Sequence, residues 1–181
     1  PKARVVQHLK LGRADGAILF RSKRLEPYVE FVSKIREIPI IILSKNSLTI
    51  NGYEDLHKLK SVGHLRSGSV SERFDNDANI NKVAINNYPR MLEMLRKNRV
   101  SAVVGNGIVI QSLINKECTE HKLTISPFIL GQKEQWLVLS KQSKFLNMVP
   151  DMKEAIVELK EEGVLDQIFE KHLSNYSKKC E

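Results

Sequence analysis

The stretch Ile38-Pro39-Ile40-Ile41-Ile42-Leu43 does most to narrow what this chain can become. It is apolar, β-branched and short, so it reads as a strand, with Pro39 confined to the strand's start or to an edge because it lacks an N–H. Compact runs of the same kind return at 16–20, 61–65, 82–85, 100–105 and 136–139, and 123–130 is partly extended. Between them lie helical patterns. Residues 5–11 end at Gly12, a natural stop. Residues 53–59 carry acidic groups first and lysine later. Residues 88–97 put Met91, Leu92, Met94 and Leu95 on one face. Another helix starts from Asn106, 150–162 stops at Gly163, and 164–173 follows. The stretch 25–33 reads as a helical turn or irregular, and Ser69 with Glu72 fits a capping box. Strands alternating with helices predict an α/β chain with a mostly parallel sheet, whose ligands sit outside the carboxyl ends of the strands.

Composition sets limits on partners. The chain has 181 residues, 41% hydrophobic and 28% charged, which is globular composition. No apolar run approaches the roughly 18 residues that span a bilayer. The net charge of +8 is uneven, with 24 Lys/Arg against 13 Asp/Glu in residues 1–150 and 5 against 8 in 151–181. The basic residues come singly or in pairs, without aromatic interleaving or zinc-finger spacing, so no nucleic-acid partner is expected, and a solvated basic face, an anionic surface or a small anionic ligand remain open. Cys118 and Cys180 lie in neither a Cys-x-x-Cys pair nor a metal-spaced His/Cys set, so no metal or other cofactor is expected. They are free or form one bond; their number does not decide between the two.

The order of short motifs resembles that of family 3 extracellular solute-binding proteins. Arg4 with Leu11-Gly12-Arg13-Ala14-Asp15-Gly16-Ala17 is similar to one family segment. Asp55-Leu56 through Val62-Gly63-His64-Leu65-Arg66-Ser67-Gly68-Ser69 looks like another. Met91 to Leu95 followed by Arg99 to Val103 resembles a third, and Ile156, Leu159, Gly163, Ile168 and Lys171 a fourth. The resemblance implies a two-lobed type 2 periplasmic binding protein fold, with the first strands and helix of lobe 1 missing. Lobe 1 would be 1–45 plus 136–181 and lobe 2 would be 46–135. An incomplete lobe 1 would expose edges, so a dimer or swapped assembly is also expected.

The same resemblance implies a periplasmic binder that captures a small amino-acid-like or carboxylate ligand between its lobes, for an ABC permease or a sensor partner. Arg66, Ser67, Gly68 and Ser69 fall at the family's strand-to-helix anion loop, where guanidinium and backbone N–H groups suit a carboxylate. Arg24 is the lobe 1 arginine by this alignment, with Arg21 its rival, and Phe20 is placed to stack on a ligand. Asn106 and Ser101 stand where family members often carry Asp. An amide supplies no charge to an α-ammonium, which shifts the expected ligand toward a polar or anionic solute. The alternatives are an enzyme on the same fold, dehydratase-like, with His64 as its base, or the sensing module of a signalling protein or transcription regulator. The binder without catalysis is the favoured reading.

Overall fold

The computed structural model describes residues 2–45, 48–66, 68–116 and 123–177. In chain order these form α1 (Lys2–Lys10), β1 (Gly16–Phe20), β2 (Val29–Lys45), β3 (Val62–Leu65), α2 (Glu72–Asn76), β4 (Lys82–Ile85), α3 (Tyr88–Arg96), β5 (Ala102–Asn106), α4 (Gly107–Lys116), β6 (Leu123–Ile125), β7 (Gly131–Ser140), α5 (Val149–Glu161) and α6 (Val164–Ser177). Short 3-10 segments occur at Lys23–Leu25, Tyr53–Lys58 and Leu146–Met148. The chain divides into two compact units. Unit 1 is Pro1–Glu37 with Lys133–His172, and unit 2 is Ile38–Gln132 with Leu173–Glu181.

In unit 1 the strand order is β1-β7-β2. β1 runs antiparallel to β7, with Gly16 opposite Leu139 and Phe20 opposite Gln135. The Leu11–Ala17 motif is structural. Gly12 ends α1 at φ +64, a left-handed conformation that costs glycine little. Asp15 then ties the start of β1 to the turn after β7: its carbonyl accepts from the Ser140 N–H at 2.7 Å and its carboxylate from the Ser143 hydroxyl at 2.8 Å. Leu9, Leu19, Leu25, Val29 and Val138 form a core on one face, and Val32, Leu139 and Val149 a smaller one on the other. Ile18, on the second face of β1, stays 52% exposed.

Unit 2 is better filled. Here β2 pairs antiparallel with β5, Ile40 opposite Asn106 and Ser44 opposite Ala102, and with β6. β5 and β4 flank β3 in parallel. The pleat sends alternate residues of β2 to opposite faces. Ile40 and Ile42 join Leu56, Val62, Phe74 and Val104 on one side, while Ile41 and Leu43 join Met91, Leu92, Leu95 and Ile110 on the other.

Three expectations need correction. The sheet is mixed, because β2 and β7 run antiparallel to neighbouring strands and only the β5-β3-β4 portion is parallel. Strand direction is set by long-range pairing, which local apolar patterns do not encode. Residues from Val29 onward are strand, continuous through Pro39 to Lys45. Pro39 is tolerated because pairing with β5 begins only at Ile40. The cap of α2 is Ser71, whose Oγ accepts from the Phe74 N–H at 3.2 Å, and not Ser69. Cys118 and Cys180 lie outside the described residues.

One polar cluster stiffens unit 2. His57 Nε2 lies 2.7 Å from Asp77 Oδ2 and Nδ1 lies 3.0 Å from Glu54 Oε2, while the Tyr53 hydroxyl donates to Asp77 at 3.1 Å. The hydrogen bond to Asp77 raises the His57 pKa above its ordinary 6.5 despite desolvation. The same bond and the Asn79 N–H hold Asp77 down at about 2. Burial and the bond to Asp77 push Tyr53 up to about 12. A histidine whose folded pKa is raised contributes stability that is complete below its unfolded value and is lost as pH rises through the folded one. A depressed aspartate contributes stability that is lost as pH falls through its folded value. The melting temperature should therefore drop between about pH 6 and pH 9. In His57→Gln that drop should shrink, as circular dichroism melts at the two pH values would show.

Candidate functional site

Because β3, β4 and β5 are parallel, their carboxyl ends emerge on one edge of unit 2. Arg66 follows β3, Asn87 follows β4, and Asn106 ends β5. The Arg66 backbone N–H donates to the Ile85 carbonyl at 2.9 Å, and its side chain is exposed. Asn87 caps α3, its Oδ1 accepting from the Arg90 N–H at 2.9 Å. Asn106 plays the same part for α4, its Oδ1 accepting from the Val109 N–H at 3.2 Å, while its own N–H donates to the Tyr88 hydroxyl at 2.9 Å. Burial raises the Tyr88 pKa. Tyr88 reaches Asn106 only because Gly105 has no side chain, since a Cβ there would lie 2.7 Å from the ring. The Tyr88–Asn106 contact was not foreseen; the signal for it was Gly105 beside the expected site residue.

The turn after β3 is closed by its own groups. The Gly68 N–H donates to the Leu65 carbonyl at 3.1 Å. The Ser69 hydroxyl donates to Asp75 Oδ2 at 2.6 Å and the Val70 N–H to Asp75 Oδ1 at 3.0 Å. Asp75 thus holds two donors that an anion loop would offer to a ligand, and α2 behind it spans only five residues. Ser67 lies outside the described residues. His64, on β3, packs edge-on to Phe74 at 6.1 Å, and its Nδ1 is buried without a hydrogen-bond partner among the described residues.

In unit 1, Phe20 sits half-buried at the end of β1, opposite Gln135. Arg24 is exposed within the 3-10 turn Lys23–Leu25, whose cap is Ser22. Arg21 is the more fixed arginine. Its guanidinium lies 4.6 Å from the Trp136 ring centre and 5.0 Å from that of Phe31, and those rings meet edge to face at 5.9 Å. Such stacking holds the cation's position while leaving its N–H edges able to bond. A solvent-open cavity of about 690 Å³ lies beside this stack, lined by Arg21, Phe31 and Trp136, by residues 29–34 of β2, and by Lys153 and Val157 of α5.

No family model matches the chain, and no curated protein matches it by sequence. Solved structures do match. The amino acid ABC transporter substrate-binding protein AbpA of Streptococcus pneumoniae, bound to L-arginine, superposes with a TM-score of 0.80 at 20% identity, covering 97% of this chain and 75% of its own. The GluR0 ligand-binding core of Nostoc punctiforme, in complex with L-glutamate, gives 0.74 at 19% identity, covering 94% and 78%. The periplasmic VFT2 domain of Bordetella pertussis BvgS gives 0.76 at 18%, covering 94% and 72%. The chain therefore has the fold of type 2 periplasmic binding proteins, as the motif order implied. Among the described residues, no helix is long and apolar enough to cross a membrane.

Proposed function

We propose that this chain is an extracytoplasmic, periplasmic solute-binding module that captures a small polar or anionic ligand without transforming it, and hands it to an ABC permease or reports it to a sensor partner. The observation that carries this reading is the edge of unit 2, where the parallel strands β3 and β5 end side by side, one followed by the exposed Arg66 and the other ending in the Tyr88–Asn106 pair. A guanidinium beside neutral hydroxyl and amide groups suits a carboxylate or another anion. In unit 1 the same reading gives contact roles to Phe20 and Arg24. The solved neighbours named above support it, since two of them hold amino acids.

Gly68 and Ser69 stay in the proposed site, together with the preceding Ser67. Their part depends on Asp75, whose carboxylate must turn away before the Ser69 hydroxyl and the Val70 N–H can serve a ligand anion. Binding without turnover fits the position of His64, whose ring lies against Phe74. A melting series with the protein amino acids and with small mono- and dicarboxylates tests the proposal. One ligand class should raise the melting temperature and be recovered unchanged after incubation; conversion of the ligand would point to an enzyme instead.

A further inference from the structure

The cavity in unit 1 is a groove along a strand edge. Six consecutive residues of β2, 29–34, line it. A pocket over one face of a strand would be lined by every second residue, because side chains alternate between faces. Contact with all six places the cavity beside the backbone edge. β7 flanks β2 on its other side, with the Lys141 N–H donating to the Tyr28 carbonyl at 2.9 Å and Lys34 lying 3.6 Å from Glu134. Among the described residues no strand pairs with 29–37 on the groove side. Unpaired edges of this kind accept an added strand.

The walls indicate what would add. Arg21, Lys141 and Lys153 line the groove against Glu26 and Glu30, while Lys34, also in the lining, is paired with Glu37 and Glu134. Phe31 and Trp136 offer an aromatic wall on one side, and Val157, 48% exposed, offers an apolar one on the other. At about 3.3 Å per residue the six-residue edge is roughly 20 Å long, enough for a short extended segment. We infer that this groove binds an extended acidic peptide segment by strand addition to β2, with apolar side chains at alternate positions. The site is separate from the unit 2 edge and does not depend on the solute-binding reading.

The probe is a fluorescein-labelled, amide-capped hexapeptide of alternating valine and aspartate, titrated into the 181-residue protein and followed by anisotropy. Controls are the same peptide with lysine for aspartate and one N-methylated at alternate backbone amides. The acidic peptide should bind, both controls should bind at least about tenfold more weakly, and Lys153→Glu should weaken the acidic peptide by a similar factor. Arg66→Ala should leave peptide binding unchanged, which separates this site from the solute site. Equal binding of the N-methylated peptide would overturn strand addition. Equal binding of the lysine peptide would overturn the charge assignment, and no binding up to about 1 mM would overturn the groove as a peptide site.

Discussion

Replacing Phe74 by alanine is expected to destabilise unit 2 by about 3–5 kcal/mol, the cost of emptying a phenylalanine-sized space in a packed core. Phe74 is 0% exposed and is among the largest fully buried side chains of the molecule. It joins the first unit 2 cluster beside Val62, Leu56 and Val104, takes the His64 ring edge-on, and lies under the Lys82 ammonium at 5.7 Å. Its backbone N–H also donates to Oγ of Ser71, the cap of α2. The substitution therefore removes packing that organises both α2 and the turn carrying Arg66. Urea unfolding followed by circular dichroism should show the loss, and Ile168→Ala, at a position 50% exposed, should stay within about 0.5 kcal/mol of the parent. Equal effects at the two positions would contradict the core assignment.

Gly105→Ala is the second large effect. A Cβ at this position would lie 2.7 Å from Tyr88 Cε1 and 3.0 Å from its hydroxyl. The ring must move, and the hydrogen bond from the Asn106 N–H is lost with it. Overpacking of this kind costs about 1–3 kcal/mol. Tyr88→Phe, which removes only the hydroxyl, should cost about 1 kcal/mol. Gly105→Ala is thus expected to be the worse of the two in stability, and to weaken ligand binding as well, because it displaces a ring at the proposed site. A parent-like melting temperature for Gly105→Ala would show that Tyr88 has room to yield.

The residues explain why some of this was legible in sequence and some was not. β1 and β4 appear where their short apolar runs place them, bounded by polar neighbours and a glycine. β2 is longer than its apolar run because Ser33, Lys34, Arg36 and Glu37 are partly solvated, so the hydrophobic signal fades while strand pairing continues. The cap of α2 lies two residues beyond the expected serine because Ser69 and Ser71 are the same chemical type. Only helix position decides which hydroxyl meets an N–H, and the displaced Ser69 bonds Asp75 instead. Asp75 itself was invisible as a competitor for the loop donors, since its role depends on a turn geometry that spacing alone does not fix. The stack of Arg21 on Phe31 and Trp136 brings Trp136 to residues more than a hundred positions away, and the groove beside it is lined from three separate stretches of chain, which no local pattern reveals.

The most direct test of the account is the melting series run side by side on the parent chain and on Arg66→Ala. At a concentration about a hundred times its dissociation constant, a ligand that binds only the folded state adds roughly 2.7 kcal/mol, worth about 5–10 °C in a chain of this size. Arg66→Ala should weaken that ligand by about 1.5–3 kcal/mol, as expected for a charged hydrogen bond, and should cut the shift at the same concentration to about half or less. The account predicts a clear shift in the parent for an amino-acid-like or carboxylate ligand and a shift of half that or less in the variant. No shift with any ligand of these classes, or a shift that Arg66→Ala leaves intact, would contradict it.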